Sequence, residues 1–364
     1  MKNICLINDF AENTGAGKYG LKLYQHLAGK ADIDYYYLNF NSLTLDKKCG
    51  DKYVTVKEIR CKWLANKFKP IFWQLLKGHL PQYEIYHFMT PNISFLSGQG
   101  PSIVTCHDIA PLFMPVSLLE KIGRKYLYSG IKRSFYIITD STSSRQDVMK
   151  AYNIKPENIA VIPLGVDHDV FKPINKKEAR DKLGLAENAK IILSVSLEMW
   201  RKNIPGAIKA FAELKKKHPE AILIRTAGLK ASTKKLVEIL GLKNSVIVME
   251  KINEDELALL YNAADVLFFP SFYEGFGLPP LEAMACGCPV VAANTTSLPE
   301  VVGPAGLLVD PHDIKAMEAA LERALYDGAF RANLIDSGLK WVKKFNWEDT
   351  AMQTLAIYKK TNVA

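Results

Sequence analysis

The sequence predicts an α/β protein of two consecutive doubly wound domains, in which each parallel sheet lies between layers of helices. Three observations support this fold class. Apolar runs of strand length alternate with helical patterns along the whole chain, as in βαβ units. The chain has 364 residues, which corresponds to about two domains. A polar, charged segment without a long apolar run, residues 165–188, separates two series of predicted strands.

The first series of predicted strands gives the first domain, residues 1–168. These strands are short and apolar, with many β-branched and aromatic residues. They are NICLIN, DYYYLNF, YVTVKEI, IYHFM, SIVTCHD, YIITDS and IAVIPL, which begin at residues 3, 34, 53, 85, 102, 136 and 159.

The second series gives the second domain, residues 188–345, after a boundary that we place within residues 165–188. Its strands are IILSVS, AILIRTAG, SVIVME, VLFFP and PVVAA, which begin at residues 191, 221, 245, 266 and 289. A last helix is predicted over residues 347–361, because apolar side chains recur there at helical spacing. They are Trp347, Met352, Leu355 and Tyr358.

Composition and cysteine usage indicate a soluble globular protein of the cytoplasm. Hydrophobic residues make up 48% of the chain and charged residues 23%, which is typical of this class. No apolar run reaches the ~20 residues of a membrane span, and the start, MKNICLINDF, predicts a buried strand rather than a signal peptide. The six cysteines form no C-x-x-C pair, so we expect free thiols in a reducing compartment.

The most informative segment, residues 266–291, contains a strand, a loop with two glycines, a short helix and a second strand. Pro279 and Pro280 suit the first turn of that helix, because the missing N–H of proline has no partner there. Two carboxylates follow the first strand, Glu274 in the loop and Glu282 in the helix. Ligands of parallel sheets bind beyond the carboxyl ends of strands, where glycines admit close approach and helix N-termini attract anions. The segment therefore predicts a nucleotide-sugar site.

Glu274 and Glu282, with seven residues between them, lie in EGFGLPPLEAMACGCPVV, which resembles the defining motif of the family-4 retaining glycosyltransferases of GT-B fold. Further segments resemble the family in its order along the chain: TGAGKYG (14–20), VTCHDI (104–109), LEMWRKN (197–203), LPEVV to GLLVDP (298–311) and FNWEDTA (345–351). The resemblance implies two Rossmann-like domains that face each other across a cleft. It assigns the acceptor to the first domain and the nucleotide-sugar donor to the second, with helix 347–361 crossing back to the first.

The resemblance also implies roles for single residues. Arg201 and Lys202 would stabilise the leaving diphosphate, and Glu282 would hold the ribose hydroxyls. Glu274 and His107 would contact the donor sugar. Gly15 and Gly17, in a loop that faces the cleft, would lie close to the donor phosphates. The implied catalytic residues are Glu274, Arg201, Lys202 and His107, and the implied donor-binding residues are Gly15, Gly17, Gly275, Phe276, Gly277, Leu278 and Glu282. One position departs from the family, since Ser196 stands five residues before Arg201, where many members have arginine.

Each of these motifs has a plainer alternative. GAGKYG matches the G-x-G-x-x-G pattern of dinucleotide sites, but six residues separate the first strand from Gly15 and no acid ends the second strand. A purely structural turn is also open for these glycines. Arg201 and Lys202 would otherwise be an exposed basic pair, and His107 would be a satisfied polar group near a core.

No metal cofactor is expected. The Asp-x-Asp pattern, which can chelate a metal diphosphate, occurs at residues 32–34 and 167–169. The first pattern starts a predicted strand, far from the carboxyl end, and the second lies in the predicted linker. We therefore interpret both as solvated acids.

The basic balance, formally +9, is compatible with nucleic acid, an anionic membrane or the nucleotide as its partner. Residues 60–80 interleave cations with bulky apolar side chains, as interfacial elements do. The cations are Arg60, Lys62, Lys67, Lys69 and Lys77, and the apolar residues are Trp63, Phe68, Phe72, Trp73 and Leu76. A second basic helix carries Lys121, Arg124, Lys125, Lys132 and Arg133. The alternative is an ordinary amphipathic helix that covers the sheet, and Pro70 would kink the first element.

The predicted reaction is retaining transfer of a hexosyl group from a nucleoside-diphosphate sugar to a glycan, lipid-linked or small-molecule acceptor, in polysaccharide biosynthesis. GDP-mannose is the first expected donor, because GAGKYG, RKN and SFYEGFGLPPLEAMACG resemble the mannosyltransferase-like branch. UDP-glucose and UDP-N-acetylglucosamine stay open. Two other classes also stay open, a nucleotide-sugar epimerase of the same architecture and a non-catalytic protein that binds nucleotide sugars or nucleic acid. We expect no nucleic-acid partner.

Overall fold

The computed structural model describes residues 3–12, 14–39, 44–58, 80–98, 100–114 and 117–361. Chain contacts divide it into two compact units. The first consists of Met1–Gly165 with Trp347–Ala364, and the second of Val166–Asn346. Each unit has its own sheet and its own apolar core, which confirms the predicted α/β fold class.

Eight described strands form the sheet of the first unit. In chain order they are β1 (Ile4–Asn8), β2 (Ile33–Asn39), β3 (Thr44–Cys49), β4 (Lys52–Glu58), β5 (Ile85–Phe88), β6 (Ser102–Thr105), β7 (Tyr136–Thr139) and β8 (Ile159–Val161). Their order across the sheet is β4-β3-β2-β1-β5-β6-β7-β8. Neighbours pair in parallel except for β2 with β3 and β3 with β4, which are antiparallel.

The antiparallel edge departs from the predicted all-parallel arrangement. The predicted strand YVTVKEI forms β4, whereas its partner β3, with the sequence TLDKKC, was not predicted because it is rich in charge. Asp46 is nevertheless buried in β3, where its carboxylate accepts hydrogen bonds from the hydroxyls of Thr44 at 2.9 Å and Thr55 at 2.8 Å. These bonds satisfy a charge that would otherwise favour a solvated loop.

Six parallel strands form the sheet of the second unit. They are β9 (Lys190–Ser194), β10 (Ala221–Arg225), β11 (Val246–Val248), β12 (Val266–Phe269), β13 (Val290–Ala293) and β14 (Leu307–Val309), in the order β11-β10-β9-β12-β13-β14. All pairs are parallel, so the carboxyl ends of all six strands lie at the same edge. The loops that leave this edge carry most of the predicted site residues.

The described α-helices connect these strands. They are α1 (Gly15–Leu27), α2 (Ala110–Phe113), α3 (Leu118–Leu127), α4 (Thr142–Tyr152), α5 (Lys176–Leu183), α6 (Ile204–Lys217), α7 (Ala231–Ile239), α8 (Glu254–Ala263), α9 (Leu278–Ala285), α10 (Leu298–Val302), α11 (Ile314–Tyr326), α12 (Gly328–Trp341) and α13 (Trp347–Thr361).

The segment predicted as a linker, residues 165–188, belongs to the second unit and contains α5. This helix has no apolar stripe to reveal it. It is held by the buried guanidinium of Arg180, which donates to the carboxylate of Asp265 and to the carbonyl oxygen of Ala263, both at 3.0 Å. The second unit begins at Val166, about twenty residues earlier than the predicted 188. Both this ion pair and the buried ring of Phe171, whose centroid lies 5.9 Å from that of Tyr261, attach the polar segment to the unit.

The last helix, α13, forms over the predicted residues and lies with the first unit. Leu355 and Tyr358 are buried as predicted, and the Tyr358 hydroxyl lies 2.6 Å from Nδ1 of the buried His87. Met352, in contrast, is exposed. Thr354 takes a buried position instead, and its hydroxyl is satisfied by the carbonyl oxygen of Thr350 at 2.8 Å.

Among the described helices, none is long and apolar enough to cross a membrane. The described cysteines are free thiols, four of them buried, and they are Cys5, Cys49, Cys106, Cys286 and Cys288. Cys61 lies outside the described residues, and so does residue span 59–79, which holds nearly all of the predicted interfacial element.

Candidate active site

The segment between β12 and α9 forms a loop that is closed by Gly277. This glycine has φ of +126°, a conformation that strains any residue with a side chain, and an added Cβ would lie 3.0 Å from Leu298. Directly after it α9 begins at Leu278, with prolines in its first turn as predicted. Phe276 is buried and meets Phe345 edge-on, with ring centroids 6.1 Å apart. Contacts of residues 275–278 with a donor sugar stay a prediction.

Hydroxyl groups that follow β13 hold this loop in place. The backbone N–H of Glu274 donates to the Thr296 hydroxyl at 3.0 Å, and the Thr295 hydroxyl donates to the carbonyl oxygen of Ser271 at 2.9 Å. The buried Ser297 hydroxyl lies 3.0 Å from the carbonyl oxygen of Glu274 and 2.5 Å from that of Phe276. These residues were not predicted, although four consecutive amide or hydroxyl side chains after a buried strand, NTTS at residues 294–297, are a usable signal.

Arg201, Lys202 and Glu274 meet in one ion cluster at the carboxyl edge of the second sheet. Arg201 Nη1 lies 2.9 Å from Glu274 Oε2, and Lys202 Nζ lies 2.5 Å from Glu274 Oε1. All three side chains are largely removed from solvent, with 19%, 13% and 7% of their surface exposed. The structure thus brings three predicted catalytic residues together and excludes the alternative of an exposed basic pair.

Backbone contacts fix the same cluster. The carbonyl oxygen of Arg201 accepts a hydrogen bond from the N–H of Phe272 at 2.7 Å, which ties the segment after β9 to the loop after β12. Asn203 follows with φ of +51° and donates through its side-chain amide to the carbonyl oxygen of Pro311 at 2.8 Å. Helix α6 begins at the next residue. Both cations therefore stand beside a helix N-terminus, where an anion is favoured.

Glu282 lies in the second turn of α9 and is buried. Its Oε2 accepts a hydrogen bond from the hydroxyl of Tyr261, in α8, at 2.8 Å. Burial, followed by the nearby Glu282 carboxylate, raises the pKa of Tyr261 well above its usual range, so this hydroxyl acts as a donor. Tyr261 orients the carboxylate and was missed, because the contact joins residues on two different helices.

His107 follows β6 in the first unit, and its Nδ1 lies 2.6 Å from Oδ2 of the buried Asp140. Burial lowers the pKa of His107, but the charge and hydrogen bond of Asp140 outweigh it, so that the pKa is raised overall. Nε2 of His107 is buried and makes no hydrogen bond within the described chain. The prediction placed His107 on the donor sugar, which stays a prediction, and Asp140 is a partner that it missed.

The sequence had suggested that Gly15 and Gly17 lie in a loop. In the structure they lie in the first turn of α1. The Thr14 hydroxyl caps this helix by accepting a hydrogen bond from the N–H of Gly17 at 3.1 Å. A Cβ on Gly17 would lie 1.9 Å from the carbonyl oxygen of Ala11, whereas a Cβ on Gly15 would meet nothing within 4 Å. Tight backbone packing therefore explains why residue 17 is a glycine but not why residue 15 is. The contact of both glycines with donor phosphates stays a prediction.

Comparisons with known proteins identify the family of the chain. Residues 175–341 match the family model of Glycosyl transferases group 1, and residues 14–170 match that of Glycosyltransferase Family 4. The chain is 30% identical to the O-antigen chain mannosyltransferase B of Escherichia coli, an alignment that covers 95% of this chain and 96% of that protein. It is 28% identical to the O-antigen chain mannosyltransferase RfbU of Salmonella typhimurium, which covers 85% and 86% of the two chains.

Solved structures share the fold. Sucrose-phosphate synthase from Thermosynechococcus elongatus superposes with a TM-score of 0.78 at 23% identity, over 99% of both chains. WaaG, a glycosyltransferase involved in lipopolysaccharide biosynthesis, gives a TM-score of 0.75 at 17% identity, over 97% of this chain and 99% of its own. Together with the family models and the relative that matches along its whole length, these findings establish that the chain is a GT-B glycosyltransferase and belongs to family 4.

Proposed function

We propose that this enzyme transfers a mannosyl group from GDP-mannose, with retention, to the growing end of a cell-surface glycan or its lipid-linked precursor. The observation that carries the proposal is the buried cluster of Arg201, Lys202 and Glu274 at the carboxyl edge of the second sheet. Two fixed cations beside a helix N-terminus suit a diphosphate leaving group. The choice of mannose is supported by the names of the relatives, which are O-antigen mannosyltransferases.

In the proposed reaction the donor diphosphate exchanges places with the Glu274 carboxylate on the two cations. The bond between the anomeric carbon and the phosphate oxygen breaks, and negative charge grows on the diphosphate, where Arg201 and Lys202 stabilise it. A hydroxyl oxygen of the acceptor forms the new bond on the same face of the sugar and passes its proton to the departing phosphate. Glu274, released from the cations, faces the donor sugar, and Glu282 holds the ribose hydroxyls.

We propose that the reaction needs no metal ion, because side-chain cations supply the charge that a divalent ion would bring. Two acids of the Asp-x-Asp patterns, Asp34 and Asp167, have partners within the chain. Asp34 is not a solvated acid, as the sequence had suggested, since its carboxylate binds Lys47 Nζ at 2.7 Å. Asp167 accepts the N–H of Asp169 at 3.1 Å. Turnover should persist in excess chelator, and its loss with rescue by magnesium or manganese would contradict the proposal.

A thermal-shift panel of GDP-mannose, UDP-glucose and UDP-N-acetylglucosamine tests the donor. A ligand at 100 times its Kd stabilises the folded state by about 2.7 kcal/mol, so GDP-mannose should raise the melting temperature most. Product analysis then separates the reaction classes. An altered nucleotide sugar formed without acceptor would indicate an epimerase, and no shift or turnover with any donor would indicate a protein of another class.

We also propose that the enzyme works in the cytoplasm and touches an anionic membrane surface through α3. Its Leu118, Leu119 and Ile122 are 73%, 82% and 57% exposed, and Lys121 and Lys125 lie on the same helix. Exposed apolar side chains beside cations suit the headgroup region of anionic lipid. Near the end of this helix, the partly buried Tyr126 and Leu127 pack against the core of the first unit. The exposed apolar residues lie in its first two turns.

Vesicle sedimentation tests this surface. The wild type should bind vesicles that contain phosphatidylglycerol more strongly than vesicles of phosphatidylcholine alone, and Leu119→Gln should weaken the binding. The matched control is Ile239→Gln, at an apolar residue of the second unit that is 70% exposed. Equal binding of both variants would refute a role of α3.

A further inference from the structure

A third cation, fully buried, lies at the same sheet edge as the ion cluster of Arg201, Lys202 and Glu274. Arg225 is the last residue of β10, pairs with Ser194 of β9, and is fully buried. Its guanidinium donates to the Ser194 hydroxyl and to the carbonyl oxygen of Ser196, both at 3.0 Å, whereas its Nε has no hydrogen-bond partner. Within the described part of the chain, no carboxylate lies within ion-pair distance of this guanidinium.

Such a charge costs free energy in the ligand-free protein, because burial removes it from water without an anion in exchange. Burial lowers the pKa of Arg225 to about 10, so it still carries its proton near neutral pH. The negative charge of Glu198 partly opposes this lowering of the Arg225 pKa. The Glu198 carboxylate itself accepts hydrogen bonds from the N–H of Lys230 and the hydroxyl of Thr233, both at 2.6 Å. Arg180, the other buried arginine of this unit, is by contrast paired directly with Asp265 at 3.0 Å.

The contact with Ser196 connects Arg225 to the ion cluster. Ser196 belongs to the segment that leaves β9 and ends with Arg201 and Lys202, so the guanidinium holds the start of the segment whose far end carries the other two cations. Ser196 is also the position where the sequence lacks the arginine of the resembled family. Arg225 brings a positive charge to this place from the neighbouring strand.

We propose that Arg225 is a positioning residue of the diphosphate site, which holds the segment after β9 and supplies a third, buried positive charge beneath the diphosphate. Together with Arg201 and Lys202 it gives three positive charges against the single negative charge of Glu274. A released nucleoside diphosphate carries about three negative charges near neutral pH. The buried charge of Arg225 is therefore compensated only when the diphosphate is bound. This inference rests on the proposed nucleotide-sugar site.

Two variants, Arg225→Gln and Arg225→Lys, test the inference by calorimetric titration with inorganic pyrophosphate, GDP and guanosine. Arg225→Gln should weaken pyrophosphate and GDP by about 10- to 100-fold, the scale of one charge-assisted contact, and leave guanosine unchanged. Arg225→Lys keeps the charge and should recover most of the affinity. Without ligand, Arg225→Gln should melt at the wild-type temperature or above it, because an uncompensated charge is removed.

The control is Arg180→Gln, which breaks a compensated buried pair and should lower the melting temperature without lowering pyrophosphate affinity. A merely structural role of Arg225 predicts a lower melting temperature and equal weakening of GDP and guanosine, and that result overturns the inference. Unchanged pyrophosphate affinity in Arg225→Gln overturns the inference about Arg225 and leaves the proposed function standing. A wild type that binds pyrophosphate but no nucleotide refutes the proposed function and leaves the Arg225 comparison valid, whereas a wild type that binds neither refutes both.

Discussion

Replacing Glu274 by glutamine should destabilise the ligand-free enzyme and strengthen its binding of a free nucleoside diphosphate. The variant keeps the shape of the side chain but leaves Arg201 and Lys202, 19% and 13% exposed, without their common anion. Loss of one partner from a fully buried pair costs about 3–5 kcal/mol. Because both cations keep some solvent and the amide oxygen still accepts a hydrogen bond, we expect about 2 kcal/mol, or roughly 4–8 °C in the melting temperature of a unit of this size.

GDP should reverse this loss, because its phosphate oxygens replace the missing carboxylate. In the wild type the ligand must first displace Glu274 from contacts of 2.9 and 2.5 Å, whereas in Glu274→Gln that competition is weaker. The shift in melting temperature caused by GDP should therefore be larger in the variant, and Kd lower by up to about tenfold, or 1.4 kcal/mol. Turnover should nevertheless fall by about 100-fold, since the carboxylate beside the reacting sugar is lost.

Asp265 provides the matched control. It is also a buried carboxylate held by cations, namely Lys176 at 2.5 Å, Arg180 at 3.0 Å and Arg331 at 3.5 Å. It lies, however, at the amino ends of β9 and β12. Asp265→Asn should lower the melting temperature as well, while the shift caused by GDP stays at the wild-type value. A GDP shift in Glu274→Gln that equals or falls below that of the wild type would refute the exchange of anions.

Three further predictions follow from the buried polar groups. The double replacement of Arg201 and Lys202 by alanine should lower turnover by about 100-fold or more, which steady-state kinetics measure. It should also lower the free energy of unfolding by about 1–3 kcal/mol in a denaturant titration, because Glu274 is left unpaired. Glu282→Gln should weaken GDP by about 1–3 kcal/mol in calorimetry without weakening pyrophosphate, and an equal loss for both ligands would contradict its ribose role. Burial raises the pKa of Asp9 from 3.8 to about 6 despite its hydrogen bonds, so its contribution to stability is present below pH 3.8 and lost as the pH rises through 6. Asp9→Asn should therefore gain up to about 3 kcal/mol relative to the wild type between pH 4 and pH 8, and a pH-independent difference in unfolding free energy would contradict this.

The strand–loop–helix unit of residues 266–291 could be predicted from sequence because its restraints are local. Gly277 supplies the positive φ, and the prolines of the first turn of α9 suit a helix start whatever surrounds them. The pairing of Glu274 with Arg201 and Lys202 was out of reach, since it joins residues more than seventy positions apart through the parallel order of β9 and β12. The prediction for segment 165–188 failed for a related reason. Its charged residues Lys176 and Arg180 pair with the distant Asp265, whereas charged residues in a sequence predict solvent exposure.

The ligand-free ion cluster has a consequence for how the site exchanges ligands. Two cations in water would have to be dehydrated and ordered each time a donor binds, which costs free energy and side-chain entropy. Glu274 holds both cations at 2.5–2.9 Å in the absence of ligand. Both cations are therefore already ordered and partly dehydrated once the chain has folded. In the proposed reaction, donor binding is then an exchange of one anion for another on a preorganised pair of cations. An exchange of this kind lowers the affinity for the diphosphate, which gains only the difference between its own interaction free energy with the cations and that of Glu274. The same exchange favours release of the product.

The uncompensated charge of Arg225 opposes this loss of affinity. On the proposed mechanism, the balance between Glu274 and Arg225 thus sets how tightly the diphosphate is held after the sugar has left.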